Sequence, residues 1–270
     1  RSKCYCSVED LKKEKEAALK KKIPYKYSGK CRNIKEPLSD KFVLRIKVPD
    51  TGLLKLQDRI QGSVTVDYNN LEDFIILRSD NTPTYMLAVV VDDYVMNISD
   101  IIRGDDHLTN TFKQIIIYNA LEWKVPEFSH IPLIYGPDGS KLSKRHGAQS
   151  VLDYKKQRFM PEALNNYLLR LGWGHKDKEF FSVDEAINLF NIEGIGKSPS
   201  KFDKIKLESV NTYYFKRLNN EQVLNILSPK HKQNDSKEIL ALIDLFKSRA
   251  ENINDRSEEH TSELQSPVTI

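Results

Sequence analysis

The sequence predicts an α/β protein: an α+β segment, then half of a parallel-sheet unit, then a run of helices. Three observations carry that expectation. Residues 40–78 alternate with period two, Phe42, Leu44, Ile46, Val64 and Val66 standing among polar residues before the continuous run Phe74–Leu77. Residues 98–121 read as a strand, a polar loop and a helix in that order, which is half of a βαβ unit. Pro161–Leu171 is an amphipathic helix, with Pro161 in its first turn and Gly172 just past its end.

Composition sets outer limits. With 39% hydrophobic residues, including 12 Tyr and 11 Phe, the chain can build a real core. A net charge of +4 implies mild attraction to polyanions and excludes a histone-like balance. No apolar run approaches the ~20 residues that a membrane helix needs, and Arg1-Ser2-Lys3-Cys4 has no signal-peptide pattern. Three cysteines, two of them as Cys4-x-Cys6, argue against a disulfide framework and for a reducing cytoplasm.

Taken in order, Ser7-Val8-Glu9-Asp10 is a capping box that opens a Lys- and Glu-rich helix through about Lys22, ended by Pro24. Cys4 and Cys6 precede this helix and Cys31 follows it. A helical excursion that returns to its start suits a small zinc knuckle, yet three thiols are one ligand short of a structural site. From spacing alone, zinc and three unpaired buried thiols stand about level. Gly52 and Gly62 mark turns within the alternating region. Pro83 then leads into a helix over Met86–Met96, on which Tyr85 and Val89 share a face. Asn97 is expected to end it, and Ile98–Arg103 to form a buried strand. Ligands in such sheets sit beyond the carboxyl ends of strands, where Arg103 through His107 fall. Arg103 there serves either a ligand or an ion pair with Asp105 or Asp106.

Apolar Ile131–Tyr135 reads as a strand running into Gly136-Pro137-Asp138-Gly139, a turn by composition. Lys141, Lys144 and Arg145 follow within five residues, with Ser143 among them and His146 directly after. Such a cluster fits a phosphate that neutralises it, or a solvated basic hairpin. Within 161–171, Leu164, Tyr167, Leu168 and Leu171 form the expected core stripe. Ser182-Val183-Asp184-Glu185 is a second capping box, and helices are expected over 221–227 and 236–250. Lys197 and Lys201 are phosphate contacts or ordinary surface.

These stretches resemble one family. Lys141-Leu142-Ser143-Lys144-Arg145, with Asp138-Gly139-Ser140 before it and His146-Gly147-Ala148 after it, resembles the signature loop of class I aminoacyl-tRNA synthetases in its bacterial glutamyl-tRNA synthetase form. Pro83-Thr84-Tyr85, Val90-Val91-Asp92-Asp93 and Ile102-Arg103-Gly104-Asp105-Asp106-His107 match the same family, as do Cys4, Cys6, Tyr27 and Cys31, although Asn33 stands where some members place a His. The resemblance implies the C-terminal half of a Rossmann-like catalytic domain. An acceptor-end insertion is expected at 1–81 and the catalytic half at 82–135. The signature loop and stem-contact region follow at 136–215, and the opening of a helical anticodon-binding domain at 216–255.

The resemblance further implies an ATP-dependent ligase that activates glutamate as its adenylate and transfers it to tRNA(Glu). ATP with Mg²⁺ would be a substrate, and Zn²⁺ would be held by Cys4, Cys6, Tyr27 and Cys31. Lys141, Ser143 and Lys144 are expected to serve catalysis at the triphosphate, with His107 near the nucleotide and Tyr85, Val89 and Arg103 lining the amino-acid pocket. A cytoplasmic monomer is expected. The alternatives are a paralogue that glutamylates a modified nucleoside of tRNA(Asp), or a non-catalytic zinc- and RNA-binding module. The chain holds no His-x-Gly-His motif. It is therefore expected to be an internal piece, not competent alone. Residues 256–266 match a frame of a sequencing adapter codon for codon, so residues 256–270 are expected to be non-native.

Overall fold

The computed structural model describes residues 1–142 and 150–227, with side chains through residue 223. Ser143, Lys144, Arg145, His146 and Gly147, the helix expected at 236–250 and the tail at 256–270 lie outside the described residues. The chain divides into two units, Arg1–Ile131 and Pro132–Ile270. The boundary expected at residue 81 falls inside the first of them.

The first unit opens with β1 (Ser2–Cys4) and α1 (Val8–Lys20). The Ser7 hydroxyl accepts from Asp10 N and the Asp10 carboxylate from Ser7 N, the expected capping box. Next come β2 (Val43–Arg45), β3 (Leu53–Asp58), β4 (Gly62–Asp67) and β5 (Ile75–Leu77). The unit continues with α2 (Tyr85–Val95), β6 (Asp100–Gly104), α3 (Leu108–Ala120) and β7 (Glu127–Ile131). Strands β1, β2 and β5 form an antiparallel sheet in the order β1-β2-β5. A second sheet has the order β4-β3-β7-β6. In it β3 and β4 are an antiparallel hairpin, Leu53 opposite Asp67 and Asp58 opposite Gly62, while β7 runs parallel to both β3 and β6. Leu54, Leu56 and Asp58 are the inward positions of β3, so a carboxylate occupies a core-facing site.

Helix α3 supplies more of the core than any other element. Phe112, Ile115, Ile116, Ile117 and Tyr118 pack with Leu54, Leu56, Phe74, Val90 and Phe128. The end of α2 has the expected Asn97, with φ of 55° in the left-handed region. Asn97 N donates to Tyr94 O (3.1 Å) and Ile98 N to Asp93 O (2.9 Å), a Schellman closure of the helix.

Two expected strands differ from what is seen. Ile98–Arg103 is expected to be buried, but β6 is the last strand in the described sheet and Ile102 is 57% exposed. An apolar run shows what a strand can bury, not whether a neighbour covers it. The strand expected at Ile131–Tyr135 divides into β7 and β8 (Ile134–Tyr135). Pro132 lies between them, and without an N–H it cannot continue a ladder.

In the second unit β8 pairs in parallel with β9 (Ser200–Lys201). Around them are α4 (Val151–Lys156), α5 (Pro161–Arg170), α6 (Val183–Leu189), α7 (Lys204–Phe215) and α8 (Asn220–Leu227). Ser182 and Glu185 make the second expected capping box. Helices α5 and α7 share a core of Met160, Ala163, Leu164, Tyr167, Leu207, Val210 and Phe215. Leu168 departs from the expected stripe and is 45% exposed. The buried face of α5 is turned toward Ala163 and Asn166 instead. Asn166 accepts from Phe181 N (2.9 Å) and donates to Glu179 O (3.0 Å), which ties the segment before α6 to this face.

Candidate functional site

At the carboxyl end of β6 sits Arg103, half-buried. Its Nε donates to His130 Nε2 (3.2 Å), and Nη2 donates to Thr111 Oγ1 (2.5 Å) and Gln114 Oε1 (2.6 Å). None of these three partners is a carboxylate. Burial is the largest influence on the guanidinium and lowers its pKa, while Tyr85, Asp93 and Tyr118 act in the opposite sense. Asp93 is the carboxylate that acts on Arg103, and Arg103 in turn offsets part of the burial that raises the Asp93 pKa.

Behind Arg103, His130 Nδ1 lies 2.6 Å from Asp58 Oδ2, and both side chains are 0% exposed. Burial works against the Asp58 charge, but the N–H groups of Gln61, His130 and Ile60 and the imidazole hold its pKa below the usual carboxylate value. Because Arg103 donates to Gln114 Oε1, the amide is oriented, and its Nε2 is buried with no partner among the described residues. Asp58, His130, Thr111 and Gln114 were absent from the sequence-based site. The one available signal is parity, since Asp58 follows Leu54 and Leu56 on the inward face of β3.

Tyr85, at the first position of α2, is 51% exposed and is among the groups acting on Arg103. Val89, one turn on, packs at the margin of the core. His107 precedes α3 and its Nδ1 lies 3.3 Å from Asn110 Nδ2. These residues belong to the first unit and Lys141 to the second. Lys141 is exposed on a hairpin closed by Gly136 N to Ser140 O (2.8 Å) and Leu142 N to Ile134 O (3.0 Å). Gly139 has φ of 77°, and Asp138 Oδ1 accepts from Ser140 N (3.0 Å), as the turn composition requires. Ser143 and Lys144 fall outside the described residues.

A third cluster joins Cys4, Cys6, Cys31 and Tyr27. Cys6 Sγ lies 3.4 Å from Cys4 Sγ and 3.5 Å from Cys31 Sγ, and Tyr27 Oη is 3.4 Å from Cys4 Sγ and 3.8 Å from Cys6 Sγ. A tetrahedral zinc with Zn–S of ~2.3 Å and Zn–O of ~2.0 Å sets sulfur–sulfur edges of ~3.8 Å and sulfur–oxygen edges of ~3.5 Å. These four separations lie within a few tenths of an ångström of those edges, and the three thiols all lie within 4.8 Å of one another. Asn33, where a fourth ligand would otherwise stand, is exposed. For Cys4, burial raises the pKa, but hydrogen bonds with Tyr27, the Cys6 backbone and Arg45 outweigh it and bring the thiol down to about 7. Burial and the neighbouring thiols push Cys6 up to about 12. Burial, with Cys4 next, raises the Tyr27 phenol. The Arg45 guanidinium lies over the Tyr27 ring at 3.8 Å, a fixed positive charge beside the sulfurs.

The first unit is thus an α/β fold, with β7 parallel to β3 and β6, that carries Arg103 on its edge strand and the Cys-Tyr cluster near its start. Residues 2–209 match the family described as tRNA synthetases class I (E and Q), catalytic domain, and the chain belongs to that family. It is 52% identical over 227 residues to glutamate–tRNA ligase 1 of Ehrlichia canis, covering 84% of this chain and 48% of that protein. It is 50% identical over 228 residues to the glutamate–tRNA ligase of Pelagibacter ubique, covering 83% of this chain and 49% of that one. Among solved structures, a glutamate–tRNA ligase from Elizabethkingia meningosepticum, in complex with its amino acid, superposes with a TM-score of 0.84 at 26% identity, covering 96% of this chain and 59% of that chain. The chain thus spans about half the length of the curated relatives it matches. Among the described residues no helix is long and apolar enough to cross a membrane.

Proposed function

We propose that the whole protein to which this chain belongs is a cytoplasmic, monomeric glutamate–tRNA ligase. Glutamate and ATP combine to give glutamyl-adenylate and pyrophosphate, and the 3′ end of tRNA(Glu) then takes the glutamyl group with release of AMP. The observation that carries the reading is Arg103, a half-buried guanidinium held in direction by His130, Thr111 and Gln114 at the end of a parallel strand. A substrate carboxylate is the partner that would offset its desolvation, and the relatives, glutamate–tRNA ligases by name, point to glutamate as that substrate.

On this reading Tyr85 and Val89 line the pocket beside Arg103, and His107 lies near the nucleotide. Lys141, Ser143 and Lys144 meet the triphosphate with Mg²⁺, stabilising charge at the α-phosphate and the leaving pyrophosphate. Cys4, Cys6, Tyr27 and Cys31 hold a structural Zn²⁺, whose contribution is to fix the start of the chain to the segment after α1. Residues 1–81 serve the acceptor end, 136–215 the stem, and 216–255 open the anticodon-binding domain.

Glutamate-dependent ATP–pyrophosphate exchange by the whole protein tests the assignment directly. Lys144→Ala should slow that exchange by roughly 10²–10³, the scale for one transition-state charge contact, with little change in glutamate binding. An unchanged rate would remove Lys144 from the triphosphate site. A wild-type protein without glutamate-dependent exchange would remove the ligase assignment.

A further inference from the structure

We infer that Asp58 and His130 are positioning residues: together they fix the direction of the Arg103 guanidinium and so set how tightly the amino-acid carboxylate is held. The functional half of this inference rests on the glutamate-pocket reading above. The structural half stands on proton placement alone.

His130 has a different neighbour at each ring nitrogen. Nε2 faces Arg103 Nε at 3.2 Å, and a guanidinium has five donors and no acceptor. Nε2 must therefore be bare, and the ring proton must sit on Nδ1, where Asp58 Oδ2 receives it at 2.6 Å. Asp58 is suited to that role because its other oxygen is occupied by Ile60 N (2.9 Å) and Gln61 N (2.8 Å), which hold the carboxylate in place. The hydroxyl of Thr111 completes the arrangement. It accepts from Arg103 Nη2 and lies 2.9 Å from His130 Nε2.

Strand placement explains why the relay reaches Arg103. Asp58 ends β3, His130 lies in β7 and Arg103 in β6, and these are neighbouring strands in the order β3-β7-β6. The parallel register sets Arg103 opposite His130. With Nε and Nη2 tied to His130, Thr111 and Gln114, and Tyr85 also bonded to the guanidinium, the fork is held in one direction. Inverting the His130 tautomer would set a donor against the Arg103 Nε–H and turn the fork away, without touching any residue that meets substrate.

Asp58→Asn makes this inversion with little change in shape. The Asn oxygen still accepts from Ile60 and Gln61, while its NH₂ faces His130 Nδ1 and favours the Nε2–H tautomer. In the whole protein, nitrogen-15 NMR of the imidazole should show His130 moving from Nδ1–H to Nε2–H, with loss of the protected Arg103 Nε–H signal. The KM for glutamate should rise about tenfold, the scale for one hydrogen bond to a charged group, while kcat and the KM for ATP stay within about twofold. An unchanged tautomer, or an inverted tautomer with an unchanged glutamate KM, overturns the relay. Equal rises in both KM values would mark Asp58 as a structural turn residue and also overturn it. If wild-type protein shows no glutamate-dependent exchange, the ligase reading fails, and the relay is judged on the Arg103 Nε–H signal alone: its loss in Asp58→Asn supports the relay and its persistence refutes it. Should Asp58→Asn not fold, Thr111→Val leaves the Asp58 turn intact and carries the same two expectations for the Arg103 signal and glutamate KM, with unchanged values overturning the inference.

Discussion

Zinc loading should raise the melting temperature of the unit Arg1–Ile131 by about 15 °C, and Cys31→Ser should abolish most of that rise. The sulfur–sulfur distances of 3.4 and 3.5 Å need to open by only a few tenths of an ångström to receive the metal. Little of the binding free energy is then spent on rearrangement. A ligand present at about 1,000 times its Kd, and binding only the folded state, stabilises by ~4 kcal/mol. A unit of this length melts with an entropy that converts each kcal/mol into roughly 3–4 °C. The assay is scanning calorimetry of chain prepared without chelator, then of the same chain after chelation, with zinc measured by atomic emission. About one equivalent should be found in the wild type and very little in Cys31→Ser. Background zinc in the wild type, or equal zinc in Cys31→Ser, would refute the four-ligand arrangement. The metal-free chain adds a check on sign. Cys4, lowered from 9.0 to about 7, contributes stability that is fully present above pH ~9 and is lost as pH falls through 7. Cys6, raised from 9.0 to about 12, stays a thiol in the folded chain while the unfolded thiol begins to ionise near pH 9, so it takes back only a small part of that gain at the top of the window. Metal-free stability should therefore increase between pH 7 and 9, and a flat or falling profile would contradict the charge placement at Cys4.

Two further outcomes test the rest of the first unit. Arg103→Lys should raise the KM for glutamate by roughly 10–100-fold and leave that for ATP within a few-fold, because one ammonium cannot reproduce a fork anchored at both Nε and Nη2. Steady-state exchange kinetics measure both, and a parallel rise would assign Arg103 to local structure. Phe128→Ala should cost about 3–5 kcal/mol in urea unfolding, since Phe128 is 1% exposed between β3 and β6 in the sheet and packs with α3. A loss below about 1 kcal/mol would mean that the core is not centred there.

What the sequence makes legible here follows from the range of the interactions. Ser7 with Asp10, Ser182 with Glu185 and Asn97 at the end of α2 each satisfy backbone groups within a few residues, so their patterns can be read locally. The Cys-Tyr cluster spans a longer loop but uses residue types that are rare in this chain, and its spacing stands out. Asp58 and His130 are 72 positions apart, and each alone is an ordinary polar residue next to apolar ones. Only the pairing of β3 and β7 turns them into a unit, and pairing is a property of the sheet, not of either strand. Leu168 shows the same limit on a helix: 3.6-residue periodicity gives the stripe, but Ala163 and the hydrogen bonds of Asn166 decide which edge of it is covered. The residues that hold Arg103 are therefore hidden for the reason that makes them rigid. They are buried and bond to partners distant in the sequence, so that no local pattern has to announce them.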